Sequence, residues 1–411
     1  RVNNVSLKKA DISLPIDPDD PEGPRVTMNE LSGEMFLPDK STVEARGIKG
    51  VVAGIQLSLN ARIWSEHLDA PTQPKPIKDI RVARVKLIAR IIQEIHHWQW
   101  PAGKPPKLTL YLEGNVDDPD SARLDFFLEA SELERDGVVL SKVKIKGDYK
   151  NRLVTLDTIS LNDGSGTFKA KADFQPSLRV GRFEAKSTLH IQRLARQLFG
   201  VDVMNQLTFS TPPAIDCTGK ISFDKNFTPD IFLTGHASVM DFSCLGSRFK
   251  RLETDFSSRG RDAFLTGLQL THARGELKGR ILLKNDTIQY EADSTLPAAA
   301  YAPFLIGSGI DTALDHAEFN PSSKIHITAK GSMNRNDLTD WQAEGQASLE
   351  NIIYCDTALN SLSGKYSLSQ LRSRFTEVKA NFDYSNYTLR RKHGGPTSAR
   401  VAASSIEVDV A

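Results

Sequence analysis

The sequence repeats itself with a period of about 110 residues, and this period constrains the fold more than any single motif. The tripeptide Ser-Thr-Leu at residues 187–189 recurs 107 residues later, at residues 294–296. Pro106, Pro213 and Pro321 keep nearly the same spacing, and each precedes a segment with strand-like alternation. A repeat that cannot bury its own hydrophobic face must stack on its neighbours. The period therefore predicts an elongated array of similar repeats.

We divide the sequence into four repeats on this spacing. They cover residues 1–105, 106–212, 213–320 and 321–411, and the fourth is incomplete. Equivalent apolar positions recur in successive repeats at Met35, Tyr149, Phe256 and Tyr366. We expect the four repeats to form one continuous β-groove body and not separate globular domains.

The charge balance argues against a nucleic-acid-binding protein. The chain has 52 basic and 51 acidic residues, a net charge of +1, and the two signs are spread along its length. Nucleic-acid binding needs a basic excess on one surface, so this class is disfavoured. No run of about 18 apolar residues is present to form a membrane-spanning helix. Because the sequence begins at Arg1 within a strand-like pattern, we expect it to belong to a longer protein whose anchor lies elsewhere.

Alternation of apolar and polar residues predicts that most of the chain is β-strand. In residues 142–149, for example, Val143, Ile145 and Tyr149 alternate with lysines and an aspartate. Period two over such stretches indicates strands with one apolar and one wetted face. Short turn sequences such as Asp136-Gly137 separate these strands and predict an antiparallel meander.

One short amphipathic helix interrupts the strands in each of the first three repeats. Apolar residues at helical spacing predict these helices over residues 80–98, 189–200 and 298–305. In the third segment Pro303 is expected to end the helix early. We interpret the three helices as caps on one end of a curled sheet.

No arrangement of residues predicts catalysis, a metal site or a cofactor. The nine histidines are scattered, and the adjacent pair His96-His97 would point about 100° apart on a helix. The three cysteines, Cys217, Cys244 and Cys355, lack the close spacing of zinc or redox motifs. Their redox state is left open. We therefore do not expect an enzyme.

An aromatic and aliphatic stripe runs through the predicted strands, and two interpretations of it remain. It could be the filled core of a β-sandwich, or it could line an open groove that binds an apolar partner such as a lipid chain. The predicted lining residues are Phe126, Leu128, Val143, Ile145, Tyr149, Phe168, Phe174, Leu252, Phe256, Leu268, Leu270, Ile281, Leu283, Tyr366 and Phe382.

Three features together resemble the AsmA-like proteins, which are relatives of the TamB proteins and of the bridge-like lipid-transfer proteins. They are the strand-rich repeat, the short helix at residues 189–200 and the returning strand at residues 215–221. Residues 345–352, followed by residues 359–368, are similar to the repeating element of the C-terminal regions of these proteins. The resemblance covers essentially the whole chain, but it is a rhythm of small, apolar and glycine positions without an invariant chemical group.

The resemblance implies a periplasmic protein of a Gram-negative envelope, held in the inner membrane by an N-terminal helix outside this sequence. It also implies a mainly β, taco-like groove that carries phospholipid toward the outer membrane and serves outer-membrane biogenesis. About twenty strands at about 4.8 Å would extend such a groove over about 100 Å. Envelope proteins are possible partners. The alternative is a structural or adhesive β-sandwich repeat protein without a lipid groove.

Overall fold

The computed structural model describes most of the chain as β-strand. It describes residues 4–15, 22, 25–65, 94–115, 118, 121–190, 207–224, 228–244, 246–305, 316–337, 340–354, 357–369, 372–382, 400–402 and 405–408. The chain divides into two compact units, one of residues 1–203 with 218–229 and the other of residues 204–217 with 230–411. The mainly β, largely antiparallel prediction is confirmed. The repeat count and the helix in each repeat stay predictions.

The first unit contains ten complete strands in the residues that the structure describes. They are β1 (Asn4–Pro15), β2 (Arg25–Phe36), β3 (Thr42–Val52), β4 (Ile55–Trp64), β5 (Lys107–Asn115), β6 (Arg123–Arg135), β7 (Val138–Lys150), β8 (Leu153–Asn162), β9 (Thr167–Gln175) and β10 (Val180–Ser187). Each strand pairs with the next. All these pairs are antiparallel except β4–β5, which is parallel.

The second unit continues the antiparallel meander. Its strands are β11 (Leu207–Phe209), β13 (Pro229–Cys244), β14 (Ser247–Arg259), β15 (Asp262–His272), β16 (Gly275–Lys284), β17 (Thr287–Ser294), β18 (Ala317–Asn334), β19 (Trp341–Tyr354), β20 (Thr357–Ser369), β21 (Arg372–Phe382), β22 (Arg400–Ala402) and β23 (Ser405–Val408). Strands β13 to β21 pair in chain order, β11 pairs with β13, and β22 and β23 pair with β21. Strand β12 (Ala214–Phe223) has residues 214–217 in this unit and 218–223 in the first.

Opposite charges on directly paired residues help to fix the register of the strands. In the first unit Lys144 lies 3.4 Å from Glu129, its register partner on β6. In the second unit Arg280 lies 2.7 Å from Glu291, its register partner on β17. These exposed pairs each contribute little free energy. A one-residue slip would nevertheless place apolar residues on the wetted face, so the charge pattern and the apolar pattern favour the same register.

A β-bulge at Lys142 redirects the end of β7 in the first unit. Lys142 has a φ of +53°, and the register between β7 and β8 shifts between Ser141 and Lys144. In a regular strand Leu140 and Val143 would lie on opposite faces. Because of the bulge, both join one buried cluster.

Each unit has a small buried cluster at one end of its strands. The first cluster consists of Ala130, Val138, Leu140 and Val143, with Trp98, Leu133 and Leu161 packed against it. The second consists of Val239, Phe242, Phe249, Leu296 and Ala300, with Leu207, Phe209, Cys244, Leu252, Leu270, Leu277 and Tyr301 against it. In both clusters a segment outside the strands covers the sheet, namely the Trp98 segment in the first unit and residues 296–301 in the second.

One helix is present where the sequence predicted it, over residues 298–305. Helix α1 (Ala298–Leu305) includes Pro303, so the proline does not end the helix where the sequence predicted. Proline has no N–H, which leaves the carbonyl of Ala299 without its usual helical donor. The hydroxyl of Ser247 on β14 donates to that carbonyl at 3.2 Å. This hydrogen bond gives the carbonyl of Ala299 a donor and attaches the helix to the sheet.

The other two predicted helices lie mainly outside the described residues. Of residues 80–98, only residues 94–96 are both described and helical. Just beyond them, Gln99 exchanges two backbone hydrogen bonds of 2.8 Å with Glu134 at the end of β6. Of residues 189–200, only Leu189 and His190 are described, and Leu189 is buried.

The two Ser-Thr-Leu segments adopt the same local structure in the two units, and we call them the Ser-Thr-Leu clamps. In the first unit, Thr188 donates its N–H to the carbonyl of Thr167 at 2.8 Å, and its hydroxyl accepts from the N–H of Thr167 at 2.9 Å. In the second, Thr295 makes the same two bonds with Glu276, at 2.8 and 3.1 Å.

The serine and leucine of each clamp are also equivalent. The hydroxyl of Ser187 accepts from the N–H of Leu189 at 3.2 Å, and that of Ser294 accepts from Leu296 at 3.3 Å. Leu189 and Leu296 are both buried. The sequence repeat therefore corresponds to a repeated hydrogen-bonded junction at this point of the chain.

We expect Thr188→Val and Thr295→Val each to loosen their own junction. Valine keeps the shape of threonine but cannot accept the N–H of Thr167 or Glu276, which costs about 0.5–1.5 kcal/mol. Hydrogen exchange should show faster exchange of these two amides. Thr188→Ser, which keeps the hydroxyl, is the matched control. Unchanged protection in both valine variants would contradict a structural role for the clamps.

Asp163 ties the loop between β8 and β9 to the first clamp. Its carboxylate accepts hydrogen bonds from the N–H groups of Ser165 and Gly166, both at 2.9 Å, and from the N–H of His190 at 2.8 Å. Burial opposes ionisation of this carboxyl group. The hydrogen bonds from Ser165, His190 and Gly166 outweigh that effect and hold the pKa of Asp163 below its ordinary value.

The ionised carboxylate of Asp163 should stabilise the first unit, and this stabilisation should be lost in acid. A carboxyl group whose folded-state pKa is lowered stabilises the fold above its unfolded pKa of about 3.9, and this contribution is lost as the pH falls through the folded pKa. We expect Asp163→Asn to reduce the dependence of the free energy of unfolding on pH below about 4. The measurement is urea unfolding at several pH values. An identical acid slope in the variant would show that the carboxylate does not couple to folding.

Candidate functional site

One face of the first unit collects all seven of the lining residues predicted there, and we call it the first apolar face. They are Phe126, Leu128, Val143, Ile145, Tyr149, Phe168 and Phe174. The register places Leu128 opposite Ile145. It also places Val154 opposite both Tyr149 and Phe174, on neighbouring strands. Directly paired residues share a face, so the set is continuous from β6 to β9.

Most of the first apolar face is only half-buried. Phe126, Ile145, Tyr149 and Phe168 are all partly accessible. Val143 is the exception among the predicted set, because it is 4% exposed and belongs to the first buried cluster. The accessible part of the face therefore lies away from the end that the Trp98 segment covers.

The second unit has an equivalent face, the second apolar face. It carries Leu252, Phe256, Leu268, Leu270, Ile281, Leu283 and Tyr366. The register joins Leu252 to Leu270, and it joins Phe256 through Leu265 to Ile281. Leu252 and Leu270 pack against the second buried cluster, whereas the other five lie outside it. The backbone of Phe382 lies in β21, but its side chain is outside the described residues.

Two tyrosines lie flat on glycines of the second apolar face. The hydroxyl of Tyr366 on β20 donates to the carbonyl of Thr328 on β18 at 2.9 Å, so its ring crosses Gly345 on β19. The hydroxyl of Tyr290 on β17 reaches the carbonyl of Gln342 on β19 at 3.4 Å. A methyl group on Gly345 would lie 1.8 Å from the carbonyl oxygen of Thr328. Only glycine therefore permits this close approach of the strands.

Burial shifts both tyrosine hydroxyls further from ionisation. It raises the pKa of Tyr366 to about 12, with smaller contributions from Tyr290 and Tyr301. Burial also raises the pKa of Tyr290. The tyrosines thus place aromatic surface, and not charge, on the second apolar face. Sequence reasoning found Tyr366 but missed Tyr290, although its alternation with polar neighbours was visible.

The opposite face of each sheet is charged. In the second unit Arg280, Glu291, Lys330 and Glu344 are successive register partners and alternate in sign across four strands. The same four residues line two open cavities of about 530 and 900 Å³. In the smaller cavity these are the charged lining residues and their charges balance, whereas Lys278, Asp293 and Lys365 also line the larger one.

The degree of burial distinguishes a filled sandwich core from an uncovered face. The inner positions of a sandwich interdigitate with a second sheet and are closely packed. Met35 and Tyr149 in the first unit, and Phe256 and Tyr366 in the second, are half-buried and belong to neither buried cluster. At these positions each sheet keeps apolar surface accessible.

Comparison with known proteins does not identify a family. No family model, curated protein or solved structure matches this chain. Within the described residues no three His, Cys, Asp or Glu side chains are grouped so as to hold a metal ion. None of the helices described there is long and apolar enough to cross a membrane. The resemblance to AsmA-like proteins stays a prediction from the sequence.

Substitution of Gly345 tests the close approach beneath Tyr366. In Gly345→Ala the methyl group would collide with the backbone of β18, and we expect a loss of about 3 kcal/mol or more in the free energy of unfolding. Gly364→Ala is the matched control on the same face, because its methyl group would lie 3.3 Å from its nearest neighbour, a Val378 side-chain carbon. We expect that variant to lose less than about 1 kcal/mol. Equal losses in urea unfolding would contradict the packing of β18 against β19.

Proposed function

We propose that this chain binds lipid acyl chains on its apolar faces and conducts them along the strands' stacking direction. The observation that carries the proposal is the half-buried state of Phe126, Ile145 and Tyr149 in the first unit, and of Phe256 and Ile281 in the second. Persistent apolar surface on a folded chain marks a binding site. A flexible hydrocarbon chain suits a face without fixed polar partners.

The proposed mechanism is passive and includes no chemical step. Each CH₂ group kept from water contributes about 0.8 kcal/mol, so even one acyl chain is held strongly. On a uniform face, movement by one position exchanges one set of apolar contacts for another with little net change in free energy. Polar headgroups remain in water while the acyl chains follow the face.

The finer statement of the proposal rests on the sequence resemblance. In it, four repeats with short capping helices form one taco-like groove that carries phospholipid between the inner and outer membranes of a Gram-negative envelope. The protein would be periplasmic and anchored in the inner membrane by a helix outside this sequence. Outer-membrane biogenesis is then the process it serves, with other envelope proteins as possible partners.

The alternative, a structural or adhesive β-sandwich repeat protein, requires a second layer over the apolar faces. The half-buried side chains at Tyr149 and Phe256 favour the groove instead. The small buried clusters are compatible with both interpretations, because a sheet needs closure at its end in either architecture.

Mass spectrometry of organic extracts is the direct test of lipid binding. The purified chain should release phospholipid or another acyl-chain lipid in a fixed ratio to protein. A matched amount of a soluble protein of similar size, purified from the same cells, serves as the control. Extraction of no more lipid than from that control would contradict the proposal.

A charge on an apolar face should block lipid transfer more than it unfolds the chain. Ile281→Asp puts a carboxylate on the second apolar face, whereas Leu282→Asp puts one on the charged face of the same strand. Phe168→Asp and Lys169→Asp form the corresponding pair in the first unit. An array of local contacts loses stability locally, but a moving acyl chain must pass every position.

The assay is transfer of a fluorescent phospholipid between vesicles, with circular dichroism as the check on folding. We expect Ile281→Asp and Phe168→Asp to lower the transfer rate at least about tenfold, since one desolvated charge costs well over 1.4 kcal/mol. Leu282→Asp and Lys169→Asp should transfer normally. Normal transfer by folded Ile281→Asp and Phe168→Asp chains would refute conduction along these faces.

A further inference from the structure

A row without charges crosses the charged face of the second unit, close to the turns that follow β14 and β16. It runs from β13 to β20, and each member is the register partner of the next. Seven strand spacings of about 4.8 Å make it about 34 Å long. We call this set the uncharged row, and its members are Thr234, Ser257, Phe264, Leu282, Gln289, Ser332, Gln342 and Ser369.

The charges on both sides of the uncharged row compensate one another. On the outer side, toward the turns, Arg259 is ion-paired with Asp230 at 2.9 Å. Its register partner Asp262 is acidic, and Lys284 on the next strand is basic. On the inner side the charged residues alternate between basic and acidic across the sheet, in the order His236, Asp255, Arg280, Glu291, Lys330 and Glu344. This surface therefore favours a ligand without net charge.

The β15 end of the uncharged row offers apolar surface to solvent. Phe264 is 37% exposed, and its register partner Leu282 is half-buried beside it. Phe232 lies two residues before Thr234 on β13, hence on the same face, and it is 42% exposed. The face of an aromatic ring carries negative potential and attracts C–H groups. The two phenylalanines can therefore serve as stacking platforms.

The other end of the uncharged row offers neutral hydrogen-bonding groups. The side-chain amides of Gln289 and Gln342 are exposed. Gln342 donates to the hydroxyl of Ser332 at 3.0 Å, which holds its amide in place. The side chain of Gln289 makes no hydrogen bond to another residue that the structure describes. Each amide has donors and an acceptor, so this end can bind hydroxyl groups without selecting a charge.

The apolar and the polar parts of the uncharged row meet in one concavity. The smaller cavity, of about 530 Å³, is lined by Phe264, Leu282, Gln289, Ser332 and Gln342, together with the balanced inner charges. Ligand sites commonly have volumes of about 300–1,000 Å³. The five side chains thus surround a space of the size that a small ligand, or part of a longer one, requires.

We propose that the uncharged row binds a neutral oligosaccharide chain. A sugar ring has C–H groups on its faces and hydroxyl groups at its edge, so it needs an apolar platform beside neutral donors and acceptors. Nucleic acid needs a basic excess, and an extended peptide pairs with the edge of a sheet. An acyl chain would leave the two glutamine amides without partners. This site lies opposite the second apolar face and does not depend on the proposed lipid function.

Titration calorimetry with linear neutral hexasaccharides tests the site. The probes are maltohexaose, cellohexaose and chitohexaose. We expect at least one to bind, with the same affinity at low and high salt, because no net charge is recognised. Phe264→Ser removes a stacking platform and should weaken binding about tenfold. Gln289→Leu keeps the size of the side chain but not its hydrogen bonds, and should weaken binding about two- to tenfold.

Met240→Ser is the matched control. Met240 is 47% exposed on the charged face of β13 but lies outside the uncharged row and its cavity, so this variant should bind like the unchanged chain. Circular dichroism checks that each variant is folded. Absence of binding by all three probes, or unchanged binding by both row variants, would overturn the proposal.

Two further measurements separate the saccharide from other occupants. Hexagalacturonic acid is an anionic chain of the same length, and it should bind no more tightly than the neutral probes. Tighter binding would show that the site selects charge and would refute a neutral ligand. Sedimentation tests a second copy of this chain as the occupant. If the unchanged chain is a dimer and Phe264→Ser is a monomer, the row is an interface between copies and the saccharide proposal is wrong.

Discussion

The register between neighbouring strands determines where almost every side chain of this chain lies. One strand with alternating residues has an apolar and a polar side, but a sheet has two distinct faces only if each strand pairs in step with the next. Phe126, Ile145 and Tyr149 share a face because β6 and β7 pair without a shift along residues 124–130. The charged row from Arg280 to Glu344 follows from the same rule on the opposite side of the second unit. The proposed lipid surface and the wetted surface are thus two consequences of one pairing pattern.

The ends of the strands need a different solution, because alternation alone leaves apolar side chains uncovered there. In each unit a Ser-Thr-Leu clamp bonds the chain to an adjacent strand and buries its leucine. Val143 and Leu296 belong to buried clusters at such ends, away from the half-buried centre of each face. The clusters provide the closely packed part of each unit. The centre of each face can therefore remain accessible without loss of the fold.

Strand positions, turns and faces were predictable because period two is a local signal that needs no knowledge of the partner strand. All seven lining residues predicted in the first unit fall on one face for this reason. The burial of Val143 was not predictable, since it depends on the bulge at Lys142 and on Trp98, which is distant in sequence. The parallel pairing of β4 with β5 and the tolerance of Pro303 depend likewise on non-local contacts. For Pro303, the sequence does not show that the hydroxyl of Ser247 donates to the carbonyl of Ala299, which the proline leaves without a helical donor.

The tyrosine and glycine pairs show how an accessible apolar face can be compatible with a hydrogen-bonded backbone. Gly331 and Gly345 leave gaps in the side-chain layer, and an uncovered strand there would expose polar backbone to an apolar ligand. Tyr290 and Tyr366 cover these gaps with their rings and direct their hydroxyls to carbonyls of β18 and β19. Tyrosine hydroxyls are protonated at neutral pH, and burial raises the pKa of both further. An acyl chain crossing this region would meet aromatic carbon where it would otherwise meet peptide groups, which have a high desolvation cost. The same contacts that stabilise the close approach of β18 and β19 therefore also keep the surface apolar.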